Sequence, residues 1–217
     1  MPKSPPDALL LIATGCAHCP VVLEGLSQLL KQGHIGRLEV INIVEHPQAA
    51  QAVGTRSVPW TRLGPFELEG TLTPAELATW VELAGSDTGF AAYYSHLLET
   101  QRPHRVSALV TENPETLSQL IGLLTSSETP MAVRIGIGVV LEDLEGNPLL
   151  ATALDALISL AASPQANSRA DAAHYLGLTH HKAAEAPLKA LLSDEHSDVR
   201  EIAAEALQML TNEEKNG

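Results

Sequence analysis

The chain has 217 residues, 45% of them hydrophobic and only 3% aromatic, with a formal net charge of −13. That length accommodates one large domain or two small ones, and so acidic a surface repels phosphate backbones, which argues against a nucleic-acid partner. No apolar run reaches the ~18 residues of a membrane helix, so no membrane role is expected. In chain order, Ala8–Ala13 is a continuous apolar run that predicts a strand buried on both faces. Cys19–Lys31 carries Val22, Leu23, Leu26, Leu29 and Leu30 at helical spacing and stops before Gly33 and Gly36. Leu38–Val44 predicts a second strand and Pro47–Val53 a short helix. Trp60–Leu63 and Phe66–Leu68 flank Gly64-Pro65 as a hairpin. Thr73-Pro74-Ala75-Glu76 opens a last helix with an N-cap, a proline at the first helical position and an acid in the first turn. The expected order is β-α-β-α-β-β-α, closed by a linker at Gly85–Gly89.

Beyond the linker the pattern is helical to the end and no strand is expected. Val199, Ile202, Ala203, Ala206, Leu207 and Leu210 trace one apolar face of the last helix. Charge divides unevenly: residues 1–86 hold 5 basic and 8 acidic side chains, and the remainder 8 and 18. The second half also repeats itself. Leu157, Leu160, Arg169, Ala172, Ala173 and Leu176 recur 31 residues later as Leu188, Leu191, Arg200, Ala203, Ala204 and Leu207, and a weaker copy places Arg134 35 residues before Arg169. A helix pair of this kind cannot bury its apolar face alone, so neighbours must stack. The segment Ser197–Leu207 in particular resembles HEAT-type repeats. That resemblance covers about residues 113–212 and implies a solenoid whose surface binds protein, with residues 88–112 as a capping helix pair. Arg134, Arg169 and Arg200 are expected to pair with acids of adjacent repeats, and His174, His180, His181 and His196 to be exposed loop histidines.

The two cysteines of the chain, Cys16 and Cys19, stand in Cys16-Ala17-His18-Cys19, after a strand and at the start of a helix. Cysteines three apart at a helix start lie one turn apart and can close a small ring. The helix dipole and free N–H groups there favour the thiolate of the first, which is the nucleophile, while the second, more buried sulfur resolves the mixed disulfide. His18 between them would further stabilise the Cys16 thiolate, unless it is simply a solvated helix residue. A structural zinc site takes four ligands, and two cysteines with His34 and His46 at no ligand-like spacing do not supply them, so no metal is expected.

Gly54-Thr55-Arg56-Ser57-Val58-Pro59 closely resembles the thioredoxin segment that ends in a cis-proline beside the redox disulfide. Cys16-Ala17-His18-Cys19-Pro20-Val21-Val22 is similar to the N-terminal redox domain of alkyl hydroperoxide reductase flavoproteins and to archaeal protein disulfide oxidoreductases. The resemblance implies that Val58 and Pro59 line a client groove, with Trp60 either flanking it or packed in the core. It also implies that Cys-x-His-Cys makes an oxidising pair. Two positions depart from ordinary thioredoxin: Gly15 replaces the aromatic residue before the first cysteine, and Leu10 stands where a buried acid would accept the proton of the second. Glu24 or a water is the available substitute.

The fold expected is therefore an α/β thioredoxin-like domain over residues 1–86 followed by an all-α HEAT-like solenoid over residues 87–217. The function expected is thiol–disulfide exchange on a protein client, with catalytic residues Cys16, Cys19 and His18, a client groove at Val58, Pro59 and Trp60, no metal, and no cofactor beyond the Cys16–Cys19 disulfide. The acidic repeats suggest a partner with a basic face. A non-catalytic adaptor or assembly factor using both parts for protein binding is the reading from another class. Ala8–Ala13 behind Lys3 and Asp7 is too short and wrongly flanked for a secretory signal, and no disulfide framework exists, so a cytoplasmic location is expected.

Overall fold

The apolar run becomes strand β1, Asp7–Ile12, at the centre of a four-stranded sheet in a computed structural model that describes residues 4–213; Lys3 lies outside the described residues. Strand β2, Arg37–Asn42, pairs parallel to β1, and the hairpin of β3, Trp60–Leu63, and β4, Phe66–Glu69, adds antiparallel on its other side, giving the order β2-β1-β3-β4. The helices are α1, Cys19–Lys31, α2, Pro47–Ala52, and α3, Pro74–Ala84. Thr73 and Glu76 close a reciprocal capping box at the start of α3.

Register separates the two faces of the sheet. Ala8 and Leu10 of β1 share one face with Thr61 and Leu63 of β3 and with Phe66 and Leu68 of β4, and all six are buried. Phe66 meets Trp80 of α3 edge-on at 5.6 Å between ring centres, so this is the face that α3 covers, with α1 packed beside it. The opposite face carries Leu9, Arg62, Glu67 and Glu69 and is fully buried only at Leu11 and Trp60. Helix α1 turns Val22, Gly25, Leu26 and Leu29 inward. A Cβ at Gly25 would lie 2.7 Å from Leu77 Cδ1, so α1 and α3 approach over a missing side chain.

Two strands are shorter than their apolar patterns. β1 stops at Ile12, and β2 ends at Asn42, leaving Ile43 and Val44 in a turn. The cause is Asn42: its Oδ1 accepts the Val44 N–H at 3.1 Å, and its carbonyl accepts from Glu45 and His46. A side chain that bonds its own backbone two residues on competes with the ladder.

The chain divides into two compact units, the first ending at Gly89 and the second starting at Phe90. Residues 85–88, where the sequence predicts the linker, form hydrogen-bonded turns at the end of the first unit, with Ser86 N–H on Leu83 and Thr88 N–H on Ser86 Oγ. The second unit is helical throughout its described residues: α4 (Gly89–Glu99), α5 (Pro103–Glu112), α6 (Leu117–Gly122), α7 (Met131–Glu142), α8 (Pro148–Ala151), α9 (Leu154–Ala161), α10 (Ala166–Leu178), α11 (Glu185–Leu191) and α12 (Ser197–Glu213). Helices α6, α9 and α11 pack in succession as one layer, and α7, α10 and α12 as the other. A Cβ at Gly177 of α10 would stand 2.9 Å from the Cβ and 3.2 Å from the Cα of Ala206 on α12. The composition's scarcity of aromatics is thus spent on close helix–helix contact.

Two of the three repeat arginines act in the same way. Arg169 bonds the carbonyls of Ser163 and Pro164, and Arg200 those of Asp194 and Glu195, so each ties down the loop just before its helix, whereas Arg134 reaches the Leu124 carbonyl in the 3-10 turn that continues α6. Arg134 also pairs with Asp171 of the following repeat, and Arg169 with Asp194 through two parallel bonds of 2.7 and 2.9 Å. Among the described residues Arg200 makes only the carbonyl bonds, where the sequence predicted an acid.

Candidate functional site

Between β1 and α1 the chain makes a tight turn. The Cys16 N–H donates to the Ala13 carbonyl at 3.2 Å, with Gly15 at φ +81° in the third position. That conformation favours glycine, which accounts for the absence of an aromatic side chain there. A Cβ at Gly15 would meet nothing within 4 Å, so backbone angle and not space makes the selection.

The turn delivers Cys16 to a point just ahead of α1, where it is bonded to Cys19 at the helix start as a disulfide with the Cα atoms 5.6 Å apart. The two sulfurs are not equivalent. Cys16 is half-buried and Cys19 is buried. The Cys19 backbone N–H donates to Cys16 Sγ at 3.1 Å. An N–H at a helix start aimed at a sulfur favours negative charge on that sulfur. His18 is exposed at the N-cap and makes no side-chain capping bond, while Pro20 occupies the first turn, where its missing N–H has no cost.

The Val58–Pro59 peptide is cis. The loop before it is fixed by Gly54 at φ +68° and by Thr55, whose buried hydroxyl accepts from the Ser57 N–H at 3.1 Å. Register places this loop. Leu11 pairs with Trp60, so β3 enters the sheet at the end where β1 leaves it, and Cys16 and Pro59 belong to the same end. Among the described residues, neither the N–H nor the C=O of Val58 makes a backbone hydrogen bond, whereas the Pro59 carbonyl accepts from Gly70. Val58 is half-buried and Pro59 buried. Trp60 is 1% exposed, so its ring belongs to the core and is not offered to a client.

Leu10 is fully buried, and its cross-strand partner Thr61 brings a buried hydroxyl that has no hydrogen-bond partner among the described residues. Glu24 is exposed on α1 and does not supply a buried carboxylate in its stead.

In the second unit several histidines are engaged locally. His174 meets Glu142 at 3.4 Å, His180 meets Glu145 at 3.2 Å, and His181 Nδ1 accepts the Ala183 N–H at 3.1 Å. His180 is more enclosed than a loop histidine was expected to be, with its side chain 16% exposed. Among the described residues no three His, Cys, Asp or Glu side chains converge as a metal site would require. The bond from Arg169 holds the Asp194 carboxyl down at about 2, and burial pushes the Tyr94 hydroxyl up to about 12. No described helix is long and apolar enough to cross a membrane.

Residues 154–215 match the family model of HEAT repeats. That span begins at α9 and takes in the two most similar repeats; α6 and α7 precede it but continue its two layers. No curated protein matches the chain.

Proposed function

We propose that the first unit is a thioredoxin-like domain and that the protein exchanges disulfides with a protein client, which the helical repeats bind. The observation that carries this reading is the asymmetry of the cysteine pair: a half-buried Cys16 sulfur facing the Cys19 N–H at a helix start, backed by a buried Cys19. The β-α-β-α-β-β-α order, the sheet order β2-β1-β3-β4 and the Val58-Pro59 loop at the same sheet end as Cys16 support it. The match to HEAT repeats supports the protein-binding half.

In the reductive direction, the Cys16 thiolate attacks one sulfur of the client disulfide. A mixed disulfide forms and a client thiolate leaves. Cys19 then gives up its proton and attacks Cys16 Sγ, which regenerates the Cys16–Cys19 bond and releases the second client sulfur. Two electrons have passed to the client, whose two released thiolates take their protons from solvent; the reverse sequence oxidises a client dithiol. The unbonded Val58 backbone would pair with the client chain alongside Pro59. His18, exposed beside the pair, favours the Cys16 thiolate when charged and so makes the couple more oxidising. Nothing within the described helix face replaces the acid at Leu10, so Cys19 deprotonation relies on solvent.

The test is reversible redox titration of the full chain against glutathione, with thiol alkylation read by mass, and trapping with a disulfide-bonded synthetic peptide. A two-electron couple is expected, with Cys19→Ser trapping the peptide on Cys16 and His18→Ala making the couple more reducing. A potential near about −120 mV assigns an oxidant and one near about −270 mV a reductant. A pair that does not reduce and reoxidise, or a peptide trapped only through Cys19, refutes the reading.

A further inference from the structure

Helix α7 carries a row of apolar side chains that its own fold does not use. Val133, Ile137, Val140 and Leu141 face the core, yet Met131, Ile135 and Val139, at i, i+4 and i+8, are 69%, 62% and 40% exposed. They border a shallow groove of about 390 Å³ between α7 and α10, whose other walls include Glu142, Asp171 and Tyr175.

The repeats themselves supply a control. The sequence repeat defines equivalent positions, with Arg134, Arg169 and Arg200 in register and the last two each bonding the loop before its helix. By that alignment Met131, Ile135 and Val139 correspond to Ala166, Ala170 and His174 on α10, and to Ser197, Glu201 and Glu205 on α12. Stacking therefore places no demand for large apolar groups at these positions. Moving along the same layer, the face passes from apolar on α7 to acidic on α12, where Glu201 and Glu205 are both exposed. Arg134, the only basic group among the described residues lining the groove, is neutralised by Asp171. Residues 87–217 carry 18 acidic against 8 basic side chains.

We propose that this face docks an amphipathic helix of a partner protein, one with apolar anchors one turn apart and a lysine- or arginine-rich flank. A row at i, i+4, i+8 spans about 12 Å and meets roughly two to three turns of such a helix. The acids of α12 and Glu142 at the groove's end exclude an acidic partner and steer a basic one. The proposal deepens the reading of the repeats as a client-binding surface, and it does not depend on Cys16 chemistry.

The probe is an 18-residue helical synthetic peptide with leucines spaced four apart and flanking lysines, followed by fluorescence anisotropy with the full chain. Saturable binding is expected, at least ~10-fold weaker when glutamates replace the lysines or when the same residues are scrambled. Ile135→Asp, at an exposed position, is expected to weaken binding by ~10-fold or more with the circular dichroism spectrum unchanged. Glu201→Gln with Glu205→Gln is expected to weaken it less and to reduce its salt dependence. The Cys16→Ser, Cys19→Ser double variant binds as the parent does, so failure of the redox reading leaves this result standing. Absence of saturable binding, equal binding of the scrambled peptide, or indifference to Ile135→Asp overturns the proposal. So does a dimer that Ile135→Asp dissociates, because a second copy would then occupy the row.

Discussion

Asp194→Asn isolates the charge that the repeats place between neighbouring helix pairs. Asp194 is 7% and Arg169 11% exposed at the side chain, and the carboxylate accepts from Arg169 Nε and Nη2 and from the His196 N–H at 3.0 Å. The paired guanidinium holds the carboxyl at about 2, against an ordinary 3.8. At ~1.4 kcal/mol per pH unit that is about 2 kcal/mol, reduced to about 1–2 kcal/mol by solvent screening at a loop position. The folded chain binds this proton more weakly than the unfolded one, so the contribution is fully present above pH 4 or so and is lost as pH falls toward about 2. Asparagine keeps the shape and one acceptor but not the charge. Urea unfolding followed at 222 nm should therefore show Asp194→Asn less stable than the parent by about 1–2 kcal/mol at pH 7. The gap should close progressively between about pH 4 and pH 2, where the parent loses the same charge. A gap that stays constant down to pH 2, or one absent at pH 7, would mean that the Arg169–Asp194 pair contributes packing or nothing, and the reasoning fails.

Two further substitutions separate packing from propensity. Gly177→Ala should raise intrinsic helix preference by about 1 kcal/mol yet destabilise the chain by about 1–2 kcal/mol net, because the new methyl meets the Cα of Ala206 and not a flexible side chain; thermal unfolding decides the sign, and a stabilised variant would show that α10 and α12 separate freely. Thr61→Val should stabilise the first unit by about 1 kcal/mol, since it removes a fully buried hydroxyl that has no partner among the described residues and keeps the shape; a loss in tryptophan-monitored urea unfolding would mean that the hydroxyl is satisfied.

The sequence is most legible where one residue type has one physical use. Cysteines three apart after an apolar run lead directly to a disulfide at a helix start, and the recurring arginines mark equivalent points in stacked helix pairs. It is least legible where a side chain chooses between two partners. The β-branched run through Val44 looks like strand, but Asn42 bonds forward and ends it. Trp60 is as good a groove residue as a core residue until register puts it opposite Leu11. Helix α7 is apolar on nearly every side, so periodicity does not tell its buried Val133 and Ile137 from its exposed Met131 and Ile135; that requires knowing which neighbours stack on it. Gly15 reads as a missing aromatic residue, and only its positive φ explains the choice.

On the proposed reading, the two units divide chemistry from choice. A half-buried sulfur at a helix start reacts with any disulfide that reaches it, because thiol exchange depends on thiolate character, leaving group and access more than on the residues around the client bond. The first unit has little with which to discriminate: residues 1–86 hold 5 basic and 8 acidic side chains, a weak field, and the unbonded Val58 backbone in its loop reads no side chain. The second unit has what the first lacks, namely a strong single-sign field and an apolar row absent from its own sister repeats. The field raises the encounter rate for a basic partner over distances of about one Debye length, roughly 8 Å at physiological salt, and the apolar row lengthens the complex once formed. A redox pair without a built-in proton acceptor at Leu10 gains most from such a residence time, because Cys19 must wait for solvent to take its proton before it can resolve the mixed disulfide.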